Sequence, residues 1–325
     1  MSSFETVSDP RLKPVAPALL ASTSCCVQFG QPATRVDAAG GAPVLQVALP
    51  VLAGAAEEHL LADAGEPLTE GAFTLFPGEA ALAGFAVAAE ELELEAATKE
   101  LYRQLFALTP GLHLYRIWNY VPAINATVAG LENYRRFCRG RSHAFEKNFG
   151  PGFNSQLPAA SAVGSRSGPL ALGFLAGKAP ARHRENPRQL PAFEYPREHG
   201  PRPPSFSRAT VVENGQGRQI FISGTAAIRG HSTVAPEDLG AQLACTLENL
   251  RLIADAAAGA PGLEPGPGRR RSFKVYLRHA DDFSRVRAWF ERTLFVSGDT
   301  VSYLHASICR SDLLVEVEAA LSGGT

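Results

Sequence analysis

The sequence predicts an α+β protein of two halves, each a mixed β-sheet with its helices packed on one face. Three observations predict it. From Ser207 onward the chain runs strand, strand, helix, strand, helix, strand. The first half repeats that order in blurred form, although residue-level self-similarity between the halves is weak. Each half also carries a long helix whose apolar residues recur at helical spacing, among charged or polar ones. The expected division places residues 1–200 in an N-terminal domain with its Pro/Arg-rich connector, and 201–325 in a C-terminal domain.

Residues 1–55 are apolar, small and broken by proline, with β-leaning pieces such as Val44-Leu45-Gln46-Val47-Ala48-Leu49. Residues 56–89 alternate short strand-like runs with Gly and Pro turns. Leu94, Ala97, Leu101, Leu105 and Leu108 then predict a helix over 90–108, stopped by Pro110. A strand follows over 112–121 and a second helix over 131–147. Residues 148–206 are rich in Gly, Pro and Arg, with two ordered pieces at 159–163 and 170–176. A connecting stretch of this length, with its own aromatics and arginines, points to function. In the second half strands are expected at 209–212, 219–223, 272–277 and 313–319. Helices are expected over 235–258, with Leu239, Leu243, Leu247 and Leu250 on one stripe, and over 281–294.

A chain of 325 residues with 45% hydrophobic and 19% charged residues can bury a substantial core. Its formal net charge of -1 supplies no field toward nucleic acid or an anionic membrane. No apolar run approaches the roughly 20 residues that span a bilayer, and the start Met1-Ser2-Ser3-Phe4-Glu5-Thr6 lacks a leader pattern. A cytoplasmic protein is the expectation, binding neither nucleic acid nor membrane. Cys25, Cys26, Cys138, Cys245 and Cys309 form no CxxC pair and are expected as reduced thiols. His143, His183, His199, His231, His279 and His305 show no metal spacing, and no serine has a hydrolase elbow around it. Arg269-Arg270-Arg271, between Gly/Pro turns, reads as a solvated loop.

The ending Leu313-Leu314-Val315-Glu316-Val317-Glu318-Ala319-Ala320 is the strongest local anomaly. Strand alternation puts Glu316 and Glu318 on one face, opposite Val315 and Val317. Taken alone, this fits two carboxylates facing water on an edge strand, or a surface salt-bridge cluster with Arg310 and Asp312.

The second half resembles the RidA/YjgF/UK114 family. The matching pieces are Ile220-Phe221-Ile222-Ser223-Gly224-Thr225-Ala226, the helix from Gln242 to Leu252, Phe273-Lys274-Val275-Tyr276-Leu277, and Arg310 followed by Val315-Glu316-Val317-Glu318-Ala319. The likeness implies that Arg310 anchors a substrate carboxylate while Glu316 faces the same pocket, with a spacing about two residues shorter than that family's pattern.

Over residues 110–320 the chain resembles the chorismatases. The resemblance rests on Trp118-Asn119-Tyr120-Val121-Pro122-Ala123-Ile124-Asn125, on Leu131-Glu132-Asn133-Tyr134-Arg135-Arg136-Phe137-Cys138-Arg139-Gly140-Arg141, and on Leu157-Pro158-Ala159-Ala160-Ser161-Ala162-Val163-Gly164. Glu185-Asn186-Pro187-Arg188-Gln189, Tyr195-Pro196-Arg197, Gly200-Pro201-Arg202, Ser205-Phe206-Ser207-Arg208-Ala209 and Ser223-Gly224-Thr225-Ala226 complete it. It implies a cofactor-independent enzyme, needing no metal, that releases pyruvate from chorismate. Chorismate is a dianion, and arginine forks suit its two carboxylates. Arg141, Arg197, Arg208 and Arg310 are the candidate anchors, and Tyr134, Phe193 and Tyr195 the candidate walls for the ring.

Glu316 is the implied general acid, its pKa raised by desolvation against the pull of nearby arginines. Cys309, seven residues before Glu316, and Gly224 match the family members that make 3-hydroxybenzoate. Simple hydrolysis to a dihydroxycyclohexadiene carboxylate, or a 3-/4-hydroxybenzoate mixture, is the alternative within the family. A RidA-type imine deaminase and a non-catalytic ligand-binding module are the alternatives outside it. A fused pair of halves allows either a monomer with one site near the junction or a homo-oligomer.

Overall fold

The computed structural model describes residues 23–215 and 217–323. The expectations for the first 22 residues lie outside the described residues. Two mixed sheets dominate the fold. In the first, the strands lie in the order Ala159–Ser165, His113–Pro122, Ala171–Gly177, Leu82–Val87, Phe73–Pro77, Leu68–Glu70. In the second, the order is Ala181–Arg184, Ala209–Asn214, Gly217–Ala226, Val315–Ser322, Arg270–Leu277, Thr300–His305, Val51–Gly54.

The connectivity is repeated. In each half two adjacent strands form an antiparallel hairpin, whose second strand pairs antiparallel with the half's last strand. That last strand pairs antiparallel with the strand after the first helix, which pairs parallel with the strand after the second helix. The two-half reading of the sequence therefore has a topological basis. The repeats are not sealed units, because Val51–Gly54 and Ala181–Arg184 close the two edges of the second sheet. We propose residue 200 as the division between repeats, with these two strands crossing over it.

The helices are α1 (Leu94–Leu108), α2 (Asn133–Phe149), α3 (Leu239–Ala258) and α4 (Phe283–Thr293). Helices α1 and α2 cover the outer face of the first sheet with Leu101, Tyr102, Leu105, Phe137 and Phe145 buried between them and the strands. Burying each such side chain is worth about 1.5–3 kcal/mol, so the leucine stripe selects the helix and its orientation together. Helices α3 and α4 cover the second sheet through Leu243, Leu250, Ile253, Val286 and Phe290. α3 starts four residues later than the periodicity suggests, because Asp238 caps it, its Oδ1 accepting from Ala241 N at 3.0 Å.

The inner faces of the two sheets pack on each other around Trp118, Tyr120, Phe221, Tyr276 and Leu304. The layers thus run helix, sheet, sheet, helix. The strand Thr300–His305 lies beyond the expected order, and its parallel pairing gives α4 the role of a crossover helix. Arg271 also departs from the expected solvated loop. It is 4% exposed, donates through Nε to Asp299 at 2.8 Å, and adds bonds to the Leu263 and Leu294 carbonyls. The apolar strand that follows draws it inward, and Asp299 neutralises it there. All five cysteines are free. No helix among the described residues is long and apolar enough to cross a membrane.

Candidate active site

The final strand, Val315–Ser322, lies in the middle of the second sheet. Val315 and Val317 face the core beneath α3. Glu316 and Glu318 share the opposite face, as alternation requires, but that face is the interior of the molecule. They are 4% and 3% exposed, which removes the solvated edge-strand reading.

The charge of Glu318 is balanced by cations. Its carboxylate accepts from Arg116 Nη2 at 2.8 Å and from Trp118 Nε1 at 2.9 Å, and Lys274 Nζ lies 2.6 Å away. Burial alone would raise its pKa, yet Lys274 and Arg116 hold it below the ordinary range. Lys274 also pairs with Glu58, and Arg116 donates to Ser161 Oγ.

Among the described residues Glu316, two residues away, has no such partner. Burial first, then the negative charge of Glu318, raises its carboxyl to about 8, with Arg116, Arg208 and Arg278 pulling it back. Two carboxyls on one strand are therefore pushed apart, one fixed as the anion and the other holding a proton at neutral pH.

The neighbouring strand makes room for Glu316. Pairing of Gly217–Ala226 with the final strand slips between Ile222 and Thr225, a bulge that includes Ser223 and Gly224. Ser223 Oγ donates to Ser207 O at 2.6 Å and accepts from Ala160 N at 2.9 Å. Gly224 N donates to Ser161 Oγ at 3.0 Å, so the first half pins the bulge of the second. A Cβ on Gly224 would lie 2.2 Å from Glu316 Oε1, and glycine is what admits the carboxyl there. Cys309 Sγ lies 3.9 Å from Glu316 Oε2. Burial and the neighbouring carboxyl raise this thiol well above its usual value, so it stays protonated.

These groups line a cavity of about 410 Å³ at the junction of the halves, a volume suited to one small molecule. Tyr134 and Arg141 reach it from α2, Tyr195 from the connecting segment, and Arg208, Gly224, Cys309, Arg310 and Glu316 from the second half. Among the described residues no carboxylate lies within salt-bridge distance of Arg141, Arg208 or Arg310. Arg141 and Arg208 are 1% and 4% exposed, and the Nε of each lacks a partner among the described residues. Buried guanidinium groups without counter-ions define an anion site. Arg208 Nη2 donates to Tyr195 Oη at 2.7 Å, and its guanidinium lies 5.0 Å over the Phe206 ring. Arg310 lies 5.3 Å over the Tyr195 ring and donates to His231 O at 2.8 Å.

Two expected site residues lie elsewhere. Phe193 belongs to the short turn Ala192–Glu194 and packs against the core of the first half. Arg197 is exposed at the start of the turn Arg197–His199 and does not line the cavity. The segment is two short turns and no strand, so residues two apart do not share a side: Tyr195, between the turns, is buried and reaches the cavity, while Phe193 packs on the core and Arg197 faces solvent.

Other contributors carry no local signal. Phe206 and His199 line the cavity, and Ser161 ties the bulge to Arg116. Arg278 braces the loop bearing Cys309 and Arg310, donating to the carbonyls of Leu313 at 2.7 Å, Arg310 at 2.6 Å and Ile308 at 3.1 Å. Gln242 of α3 holds the far side of that loop through Asp312 O and Leu314 N, both at 2.8 Å.

A carboxyl that keeps its proton to about pH 8, beside three arginines in one cavity, has the character of an enzyme site suited to a small carboxylate-bearing molecule. The comparisons with known proteins narrow the class. The family model for the chorismatase FkbO/Hyg5-like N-terminal domain matches residues 63–176. A 3-hydroxybenzoate synthase of Streptomyces hygroscopicus is 40% identical over 240 residues, 69% of each chain. A chorismatase of Streptomyces rapamycinicus is 40% identical over 238 residues, 70% of each. A crystal structure of a chorismatase, 31% identical, superposes with a TM-score of 0.81 over 95% of this chain and 96% of that one. The chain belongs to the chorismatase family.

Proposed function

We propose that this enzyme converts chorismate to 3-hydroxybenzoate and pyruvate, with Glu316 as general acid. The observation that carries the reading is the Glu316 carboxyl, held protonated to about pH 8 beside Gly224 and Cys309 and facing Arg141, Arg208 and Arg310. Glu316 gives its proton to the enolpyruvyl methylene carbon, and the ether carbon becomes oxocarbenium-like. Arg141, Arg208 and Arg310 hold the two carboxylates, and Tyr134 and Tyr195 flank the ring. The ring C4 hydroxyl oxygen then attacks C3, the C3–O bond breaks, and pyruvate leaves. The hydroxyl proton returns to the Glu316 carboxylate, and the resulting arene oxide opens and aromatises to the 3-hydroxy acid. Atoms balance without added water: chorismate is the sum of the two products.

Support for this product over the dihydroxycyclohexadiene carboxylate comes from two sources. Cys309 and Gly224 flank the acid, and the relative named as a 3-hydroxybenzoate synthase is 40% identical. The test is chromatography of the products from fresh chorismate with parallel pyruvate assay. One equivalent each of pyruvate and 3-hydroxybenzoate is expected. The dihydrodiol as main product would overturn the product assignment, and absence of pyruvate would overturn the activity.

A further inference from the structure

At the mouth of the cavity two short turns bring together three metal-ligating side chains that the mechanism does not use. Glu198 and His199 come from the turn Arg197–His199. His231 comes from the tip between Ile228–Arg229 and Ser232–Thr233, where Gly230 adopts a φ of +58°. His199 Nε2 lies 3.0 Å from His231 Nδ1, and Glu198 Oε1 lies 3.4 Å from both nitrogens.

Those separations are close to the spacing of ligand atoms round a single ion. Zinc takes imidazole nitrogen and carboxylate oxygen at roughly 2.0–2.2 Å. Tetrahedral angles at those bond lengths put neighbouring ligand atoms about 3.3 Å apart. Two imidazoles and a carboxylate are also ligands that a borderline-soft divalent ion accepts. We propose that Glu198, His199 and His231 bind one divalent transition-metal ion of the zinc class, leaving a coordination position open beside the cavity.

The site borders the substrate cavity, which His199 also lines. His199 and His231 both pack near the Tyr195 ring, with centroids 5.3 and 6.4 Å away, and the His231 carbonyl accepts from Arg310 Nη1. A metal fixing the His231 side chain therefore fixes the tip that holds the Arg310 guanidinium. A second group, Cys26, Glu57 and His59, also has ligand spacing. It is the poorer candidate. Its thiol is buried and raised to about 11 by burial and the nearby glutamates, and His59 Nδ1 is engaged by Ser24 Oγ at 3.0 Å.

The test uses the purified full chain stripped with chelator and titrated with zinc alone by calorimetry. Co²⁺ serves as a second probe, read by its visible absorption. One zinc per chain is expected, with a four-coordinate Co²⁺ spectrum and a rise in Tm on zinc addition. Affinity should fall at least 30-fold in His231→Ala and in Glu198→Gln, the latter being 64% exposed and without a packing role. Cys26→Ser should leave the titration unchanged. Absence of saturable binding in the unmodified chain overturns the proposal. So does binding that survives both His231→Ala and Glu198→Gln, or that is lost in Cys26→Ser. Each readout is independent of turnover, so its failure is separate from any failure of the chorismate reaction.

Discussion

Replacing Glu316 by Gln should lower turnover by orders of magnitude and, at the same time, stabilise the fold in a pH-dependent way. The carboxyl is 4% exposed and raised from 4.5 to about 8, mainly by burial. Below pH 4.5 it is protonated in both folded and unfolded chains and contributes nothing to pH dependence. Between pH 4.5 and about 8 the unfolded chain ionises while the folded chain keeps the proton. Stability therefore falls as pH rises, by about 1.4 kcal/mol for each pH unit. The accumulated cost is about 3 kcal/mol at pH 7 and about 5 kcal/mol at pH 9.

Gln is isosteric with the protonated acid and escapes that cost. The variant should match the parent at pH 4, exceed it by about 3 kcal/mol at pH 7, and by about 5 kcal/mol at pH 9. Turnover, measured as pyruvate release, should drop about 10²- to 10⁴-fold, the usual contribution of a positioned acid. In the parent enzyme kcat/KM should decline above pH 8 as Glu316 ionises. The assays are urea unfolding at the three pH values and initial-rate kinetics. A stability difference that does not grow with pH refutes the assignment of a protonated Glu316, and near-parental turnover refutes its role.

Gly224→Ala places a methyl 2.2 Å from Glu316 Oε1, and the carboxyl must move away from its position beside Cys309. Product chromatography should show a shift from 3-hydroxybenzoate toward the dihydrodiol with a slower rate; unchanged products and rate would contradict the placement. Arg208→Ala removes a buried guanidinium aimed at the cavity, and KM for chorismate should rise about 10- to 100-fold, the value of a charge-assisted hydrogen bond. A change in kcat alone would argue against ground-state binding by this residue. Arg271→Ala strands Asp299, whose side chain is 3% exposed. A loss of about 3–5 kcal/mol in urea unfolding is expected, with KM unaffected because the pair lies outside the cavity.

The sequence carried the order of helices and most strands because each buries one stripe or one face, and periodicity reports that directly. It also carried the shared orientation of Glu316 and Glu318, a consequence of strand pleating. What surrounds that face was not local information. Whether two glutamates meet water or Lys274 and Arg116 depends on contacts made roughly 200 residues away in Arg116 and Trp118. Ser161, Phe206 and His199 escaped for the same reason, since their roles arise only when the connector folds back over the junction. Arg197 shares a motif with Tyr195 and Phe193 stands two residues before it, yet only Tyr195 enters the cavity. Arg271 looked solvated by composition, and its partner Asp299 is 28 residues on.

The repeated topology of the two halves is functionally lopsided. The strand equivalent to Val315–Ser322 in the first half is Ala171–Gly177, seven apolar or glycine residues, all buried. It pairs with Leu82–Val87 without a register slip, whereas its counterpart carries two carboxyls opposite a bulge. Of the two topologically equivalent strands only the second places a carboxyl, Glu316, in the cavity, while the first half contributes Tyr134 and Arg141 to its lining. A tight chorismate analogue should accordingly saturate the chain at a single equivalent, and neither half expressed alone would turn over.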